Sequence, residues 1–576
     1  MKNRIRRSTV AFIMAAMIIA AGLGGCGQVE ETEIPTEETV QEEVTEEAVT
    51  EEATESSEQE ETSEVQEESE ESEAQNYDEN EAEKIDWAAI WPDISQASEI
   101  EHLKDADICI EDYRYFVNSN DREDILLTYK YQEIILDDAS RKAFPKLADT
   151  IDKYNLGKGE SKNKFFLKNH TNARKEKYIK SHNYETFNGE KNVLLSRVDD
   201  QVFSFVEIYS TYKGESIDTY FSSGVNLDPN TGEMIRFSDV IADEDKLIET
   251  IYEKLDEQDP GIRGNSDNAD SSVVNYIKGE NEEDIYWVMR PYGITIFFNP
   301  GVIVPRIMGP LEVSVTYLDN PELFTDKYTA ENGNWAISLK EAYIDVNGDG
   351  KSDHIYWEDD YEDEDGGDSS YITGISIYVN DKKYSFDYND YSNDIASTFI
   401  KNCNDYYMYV KTTQASDMVY TYVYKLSGSE VTYVGEQDGV IYKGCIYDPE
   451  HFYVSHTLFL VQVIYGIKKV KIGDDGLYSN LDKYFTVSEK SSKEITVKTD
   501  INVKEVDEAE NVGTEKTLPS GVIFKIFRSD YETFADCVLE DGSLFRLEME
   551  KSDSDSYWPN MTNGKGLWEV LEAEEY

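Results

Sequence analysis

Nine consecutive residues, Asp345-Val346-Asn347-Gly348-Asp349-Gly350-Lys351-Ser352-Asp353, carry the most specific chemistry in the sequence. Oxygen-bearing side chains alternate at Asp345, Asn347 and Asp349 and return at Asp353, with glycine at 348 and 350. Calcium takes six to eight hard oxygen ligands, and alternate side chains of a tight loop point inward to supply them. Gly350 permits a positive φ that folds such a loop, and Lys351 would offer its backbone carbonyl. The expected metal set is therefore Asp345, Asn347, Asp349, Lys351 and Asp353, with calcium as the cofactor. A purely structural acidic turn is the competing reading. Position 12 of the loop is Tyr356 rather than the glutamate of a helix-flanked calcium site. The flanks, Tyr343-Ile344 and Ile355-Tyr356-Trp357, read as strands, so the loop should close a β-hairpin and stiffen it. Behind it, Glu358 to Asp368 holds eight acids in eleven positions, read as a solvated loop rather than a second, weak calcium site.

Other chemistry is sparse. The six histidines are scattered, and His451 and His456 are spaced to lie on opposite faces of a strand, which speaks against a shared zinc. There is no nucleophile elbow, phosphate loop or dinucleotide fingerprint. Acids are so abundant that no pair stands out for glycosidic hydrolysis. Tyr420, Tyr422 and Tyr424 alternate along one strand; cross-strand packing is the commoner cause of such a stripe, sugar stacking the rarer. Cys109, Cys403, Cys445 and Cys537 fit no C-x-x-C spacing and read as buried thiols, a Cys403–Cys445 bridge being the one conceivable pair. The reading is a non-enzymatic protein.

The elements that must position these groups begin after an export signal. Lys2, Arg4, Arg6 and Arg7 precede an apolar run from Val10 to Ala21, too short for a permanent span, then Leu23-Gly24-Gly25-Cys26. That ending resembles a bacterial lipobox, which implies lipid attachment at Cys26 and a location on the outer face of the cell membrane. Residues 1–26 are thus a signal peptide and 27–84 an acidic linker. Val29 to Lys84 carries 25 Asp and Glu with no base before Lys84, a composition that repels itself and has little to bury. The whole chain of 576 residues has 54 Lys+Arg against 119 Asp+Glu, a charge of −65, which excludes nucleic acid as a partner. With the basic start and the linker's acids set aside, 94 acids still face 50 bases, a balance of −44.

Residues 85–330 read as α+β: an antiparallel sheet with helices packed on one face. Ile125–Ile135 predicts a strand, then a helix over Asp138–Tyr154 with Phe144, Leu147, Ala148, Ile151 and Tyr154 on one face, Pro145 near its start and Gly157 past its end. Strands follow over 192–197, 202–213 and 218–227, then the turn Asp228-Pro229-Asn230-Thr231-Gly232. A second helix carries Leu247, Ile248, Ile251, Tyr252 and Leu255, and a hairpin over 285–299 and a strand over 311–317 close the region. Phe144-Pro145, Ser196-Arg197-Val198-Asp199-Asp200, Phe203-Ser204-Phe205, Asn226 to Gly232, Ile294 to Pro300, Pro305 and Gly309 occur in the order seen in RsiV-type anti-sigma factors and a peptidoglycan-deacetylase accessory region, and this stretch resembles their extracytoplasmic domain. The resemblance implies a binding domain, which in the anti-sigma factors senses lysozyme. No Thr-Phe-Asp-Asp run or His-x-x-x-His pair of a deacetylase is present.

Residues 331–485 read as a β-rich region around the calcium loop, which resembles those of dockerin and integrin-type proteins. Strands are expected at 372–379, 384–388, 406–411, 419–425, 431–434 and 458–465. Residues 486–576 read as a small C-terminal β-barrel, with strands at 494–503, 522–527, 534–539, 544–548 and 567–571 and an Asp541-Gly542 turn; they resemble SH3-like modules. The functional expectation is a lipid-anchored surface module binding a cationic protein such as lysozyme, or peptidoglycan. The alternative is a wall-active hydrolase or deacetylase with unidentified carboxylates.

Overall fold

The computed structural model describes residues 94–97 and 108–573, apart from 119–124, 181–184, 214–215, 259–268, 280, 307–308, 330–332, 364–369, 415–418, 429, 443–445, 488–491, 508–509 and 553–558. The described residues form three large sheets and two small ones, of three and two strands. The first has six strands in sequence order: β1 (Ile94–Ala97), β2 (Ile108–Asn118), β3 (Ile125–Leu136), β4 (Phe187–Val198), β5 (Phe203–Lys213) and β6 (Ser216–Leu227). All neighbours are antiparallel except β3 and β4, which pair in parallel from Leu127↔Phe187 to Tyr131↔Lys191. The expected all-antiparallel sheet is corrected here. A helical crossover between β3 and β4 returns the chain to the end where it started, which a hairpin cannot do.

That crossover is helix α1 (Asp138–Ala143) and helix α2 (Pro145–Lys180). Proline at 145 lacks an N–H and starts the second helix, splitting the single helix expected. Gly157 does not end it. An added Cβ at Gly157 or Gly159 would meet nothing within 4 Å, so both glycines lie on an open side. The helix continues because Phe165, Phe166 and Ala173 find a second apolar patch beneath them, Val117, Leu126, Leu127, Tyr129 and Tyr131. Its first half, through Leu147, Ala148 and Ile151, covers Ile110, Ile134, Leu195, Phe203 and Phe205.

Between the two patches α2 buries a charge. Lys158 is 1% exposed, donates to the Gln132 carbonyl and stands 4.3 Å over the Tyr154 ring. The neighbouring Glu207 carboxylate accepts from Tyr154 Oη and from Lys191 Nζ at 2.7 Å. Burial lowers the Lys158 pKa to about 7, against the pull of Glu207.

After α3 (Phe237–Val240), helices α4 (Glu244–Gln258) and α5 (Ala269–Ile277) pack on a separate three-stranded sheet, β7 (Trp287–Arg290), β8 (Gly293–Phe298) and β9 (Leu311–Thr316). The helices thus cover two sheets rather than one. Asn226 at the end of β6 joins them: its amide donates to the Trp287 carbonyl at 3.0 Å and accepts from Met289 N–H at 2.8 Å. Gly224 lies so close that an added Cβ would be 1.9 Å from the Trp287 carbonyl oxygen.

The second sheet is an eight-stranded antiparallel meander: β10 (Trp335–Ser338), β11 (Glu341–Ile344), β12 (Asp353–Asp363), β13 (Ser370–Val379), β14 (Lys382–Asn402), β15 (Asp405–Gln414), β16 (Val419–Ser427) and β17 (Glu430–Asp438). Strand β14, 21 residues long, pairs with β13 through its first half and with β15 through its second, and β10 lies against Thr398–Lys401. The acidic stretch Glu358–Asp363, expected in a loop, is the outer part of β12, paired out to Asp363↔Ser370.

The third sheet has 12 strands, from Val440–Ile441 to Leu571–Ala573. Strands Phe452–Phe459 and Val463–Ile472 belong to it, so the boundary expected at 485/486 falls within one sheet. The strand expected over 458–465 is the tip of this hairpin, where Leu460 and Val461 are buried in the apolar core. An apolar run reads as a strand even where a turn dips inward. The C-terminal strands follow an open path ending on Val512–Leu518, whose recorded partner is Ile501–Val506, and no closed barrel forms among the described residues. That edge strand is nearly all exposed and carries Glu515 and Lys516, which blunt it. In this sheet Asp536, 0% exposed, sits between two arginines: Arg528 Nε at 2.6 Å, and Arg546 Nε at 2.7 Å with its Nη2 at 2.9 Å.

Candidate functional site

Strands β11 and β12 pair up to Ile344↔Asp353, so Asp345–Ser352 closes a β-hairpin as its flanks predicted. The loop is built by its own oxygens. Asp345 Oδ1 accepts from Gly348 N–H at 2.6 Å and Asp349 N–H at 3.2 Å, and Oδ2 from Gly350 N–H at 2.9 Å. Asn347 Oδ1 accepts from Asp349 N–H at 2.8 Å, and Asp349 Oδ1 from Lys351 N–H at 2.9 Å. These bonds hold Gly348 and Gly350 at φ of 75° and 81°, where a side chain would be strained. Asp353, 4% exposed, closes the base: it accepts from Val346 N–H at 3.1 Å, Asn347 Nδ2 at 3.1 Å and Asn380 Nδ2 at 2.8 Å.

The loop also reaches the α+β region. Ser352 donates its N–H to Asp319 Oδ1 at 2.9 Å, and its hydroxyl to Thr316 Oγ1 at 3.1 Å. Gly428 N–H reaches the Val346 carbonyl at 2.7 Å from the turn after β16.

The donors fit a hard cation in kind. In arrangement, Asp345, Asn347 and Asp349 are turned onto amides, and Asp353 Oδ1 already serves two side-chain donors. No group of three or more His, Cys, Asp or Glu gathers tightly enough to hold a metal among the described residues. To ligate calcium, the exposed carboxylates and the Lys351 carbonyl would turn inward and Asp353 would release an asparagine.

The motifs behind the family resemblance serve the fold. Arg197, 3% exposed, donates Nε to Asp199 at 2.5 Å and Nη1 to the Tyr328 carbonyl at 2.8 Å; its Nη2 has no hydrogen-bond partner. Asp199 Oδ1 in turn accepts from Gln201 and Val202 N–H, shaping the β4–β5 turn. The cavity beside this turn, lined by Ser196–Asp199, Pro291, Asn334–Ala336 and Tyr447, is about 20 Å³, room for one water. The Asp228–Gly232 turn docks on α2: an added Cβ at Gly232 would lie 2.4 Å from the Lys146 carbonyl, and Thr150 donates to the Gly232 carbonyl at 2.8 Å.

Tyr422 and Tyr424 are buried, packed with Phe386 and Tyr388, so the tyrosine stripe faces core. Cys109 and Cys537 are buried and Cys403 is exposed, against the expectation of burial: Cys403 sits at φ 56° in the tight β14–β15 turn. Cys26, the linker 27–84 and Cys445 lie outside the described residues. No described helix is long and apolar enough to cross a membrane.

A different set of groups, which sequence reasoning missed, meets on the outward face of the second sheet. Tyr343, His354, Tyr356 and Tyr378 form a row across β11, β12 and β13. Tyr343 and His354 stack at 4.5 Å and 3°, His354 and Tyr356 lie 5.0 Å apart, and Tyr356 and Tyr378 stack at 4.6 Å and 2°. Their strand neighbours Ile344, Ile355, Trp357 and Ile377 point the other way into the core. Glu341 accepts from His354 Nε2 at 2.9 Å, Tyr378 Oη donates to Glu358 at 2.9 Å, and Ser376 donates to Asp360 at 2.6 Å. The signal available in sequence was alternation along Ile355–Glu358, hidden by the acids that follow it.

No protein-family model matches this sequence, and no curated protein does. Among solved structures, a DUF3298-family protein from Bacteroides fragilis is 12% identical, with a TM-score of 0.29, covering 39% of this chain and 96% of that one. A DUF3298-family protein from Pseudomonas aeruginosa PAO1 is 10% identical, with a TM-score of 0.24, covering 41% of this chain and 95% of that one.

Proposed function

We propose that this protein is a non-catalytic binding module of the cell surface, anchored by a lipid on Cys26 and engaging a cationic protein such as lysozyme, or peptidoglycan. The observation that carries the reading is charge: 119 acids against 54 bases, an excess that persists outside the linker. Such a field draws cationic proteins over long distances and accelerates encounter, with an effect that fades as salt rises. Titration of the purified full chain with lysozyme at low and high ionic strength tests it. Binding that weakens with salt is expected; no binding at low salt overturns it.

Calcium at Asp345, Asn347, Asp349, Lys351 and Asp353 is part of the same proposal. Its role is to take over from the amide bonds that order the hairpin. With calcium present, Asp349→Ala should lower the melting temperature, whereas in chelator the variant and parent should melt within a degree or so of each other. Equal melting in both conditions would remove calcium from the account.

A further inference from the structure

The geometry points to a small-anion site, of chloride size, at Arg197 in the cavity between the β4–β5 turn, Pro291, β10 and Tyr447. The cationic-partner reading does not require this site, and the two stand or fall separately.

Hydrogen-bond accounting carries the inference. A guanidinium has five N–H donors and no acceptor. Arg197, 3% exposed, gives Nε to Asp199 and Nη1 to the Tyr328 carbonyl, with the Tyr317 hydroxyl at 3.3 Å. Its Nη2 is enclosed and has no acceptor, and Arg197 lines the cavity. A buried donor on a charged group costs more to leave unanswered than a neutral one, so an acceptor belongs there. The other polar groups of the lining are engaged elsewhere. Asn334 Oδ1 accepts from Cys403 N–H at 2.7 Å, and the Tyr447 carbonyl from Ala336 N–H at 3.2 Å. Ser196 Oγ donates to the Met289 carbonyl and accepts from Arg290 Nη1 at 3.3 Å. Asn334 adds a second loosely held donor, its Nδ2 standing 3.5 Å from Glu450 Oε1.

Charge separates an anion from a water. Asp199 is the carboxylate in contact with Arg197, and its other oxygen is held by the Gln201 and Val202 N–H groups. A second guanidinium stands behind Ser196. Arg290, 4% exposed, makes its hydrogen bonds to the hydroxyls of Ser196 and Thr295, the latter at 3.2 Å. Glu312 and Glu341 face Arg290 electrostatically, without an ion pair to it among the described residues. Burial pushes Glu312 up to about 7 against the pull of Arg290, so it is only about half charged at neutral pH. Two enclosed guanidinium groups thus share one contacting carboxylate, and an anion relieves that cationic excess where a neutral water does not.

Size sets the identity. The cavity is about 20 Å³, close to one water, which suits a monatomic halide and excludes sulfate, phosphate and organic carboxylates. Its walls come from the α+β region, from β10 of the second sheet, and from Tyr447 in the first connection of the third. An anion there ties all three together.

The test melts the full chain by calorimetry at equal ionic strength in sodium chloride and in sodium gluconate, whose anion is too large for the cavity. The parent should melt about 1–3 °C higher in chloride. Arg197→Lys keeps the charge and loses Nη2, so its two melting temperatures should agree within about 0.5 °C. A parent without the chloride gain, or a variant that keeps it, overturns the site. If Arg197→Lys folds poorly, bromide-soaked crystals of the parent decide. Anomalous density beside Arg197 Nη2 supports the site. Density on exposed lysines and arginines alone, an adventitious ion only, overturns it, and so does a water in that position.

Discussion

The first and third sheets each bury a charge, and they do it in opposite ways. Asp536 in the third sheet is fully enclosed and fully answered: Arg528 and Arg546 supply three N–H donors within 2.9 Å, and Arg546 lies 3.5 Å over the Phe534 ring. Lys158 under helix α2 is as deeply enclosed, yet its hydrogen-bond acceptor is a neutral carbonyl and Glu207 is engaged by Tyr154 and Lys191. A paired buried charge keeps its ionisation; an incompletely paired one shifts toward its neutral form. Burial lowers the Lys158 pKa because its partners answer the charge only in part.

The sharpest way to break the comparison is Asp536→Ala. It strands two arginines that are only 14% and 13% exposed, and should cost about 3–5 kcal/mol in urea unfolding. A loss below about 1 kcal/mol would mean that the cluster is solvated and not a buried pair. Lys158→Met should behave in the opposite sense, neutral or stabilising at pH 7, because a methionine fills the same space without a charge to desolvate.

The pH dependence of Lys158 is a finer test. Its folded pKa is about 7 and its unfolded value 10.5. Below pH 7 both states hold the proton and the fold carries the whole cost of burial. Between the two values the unfolded state binds more protons, so this group makes stability rise with pH, by roughly 1.4 kcal/mol per unit. The difference in unfolding free energy between the parent and Lys158→Met should therefore shift toward the parent from pH 7 to 9. A flat difference would show that Lys158 stays charged.

The smallest expected effect lies at the loop. Ser352→Ala removes the hydroxyl contact to Thr316 but keeps the backbone bond to Asp319, and should cost about 0.5–1.5 kcal/mol. A larger loss would make the junction between the loop and the α+β region more important than either buried charge.

Much of this architecture was legible in the sequence where local pattern and burial agree. Strands Phe534–Leu539 and Leu544–Glu548 stand where alternation and Asp541-Gly542 placed them, and the hairpin around Asp345–Asp353 follows from its apolar flanks. Helix α2 overran Gly157 because its continuation depends on Tyr129 and Tyr131, some 30 residues earlier. The acids of β12 looked unfit for a strand because their partners Ser376, Tyr378 and Lys383 come later in the chain. The aromatic row was illegible for the same reason: it exists only once three strands are in register.

Strand β14 gives that register an unusual reach. Because one continuous backbone serves β13 with its first half and β15 with its second, a slip by a single residue would invert side chains against both neighbours together. The register shifts near Ser392, where the two halves meet, so the two flanks share one strand but are joined through an irregularity. The meander thus carries its register through one shared strand with a joint near Ser392.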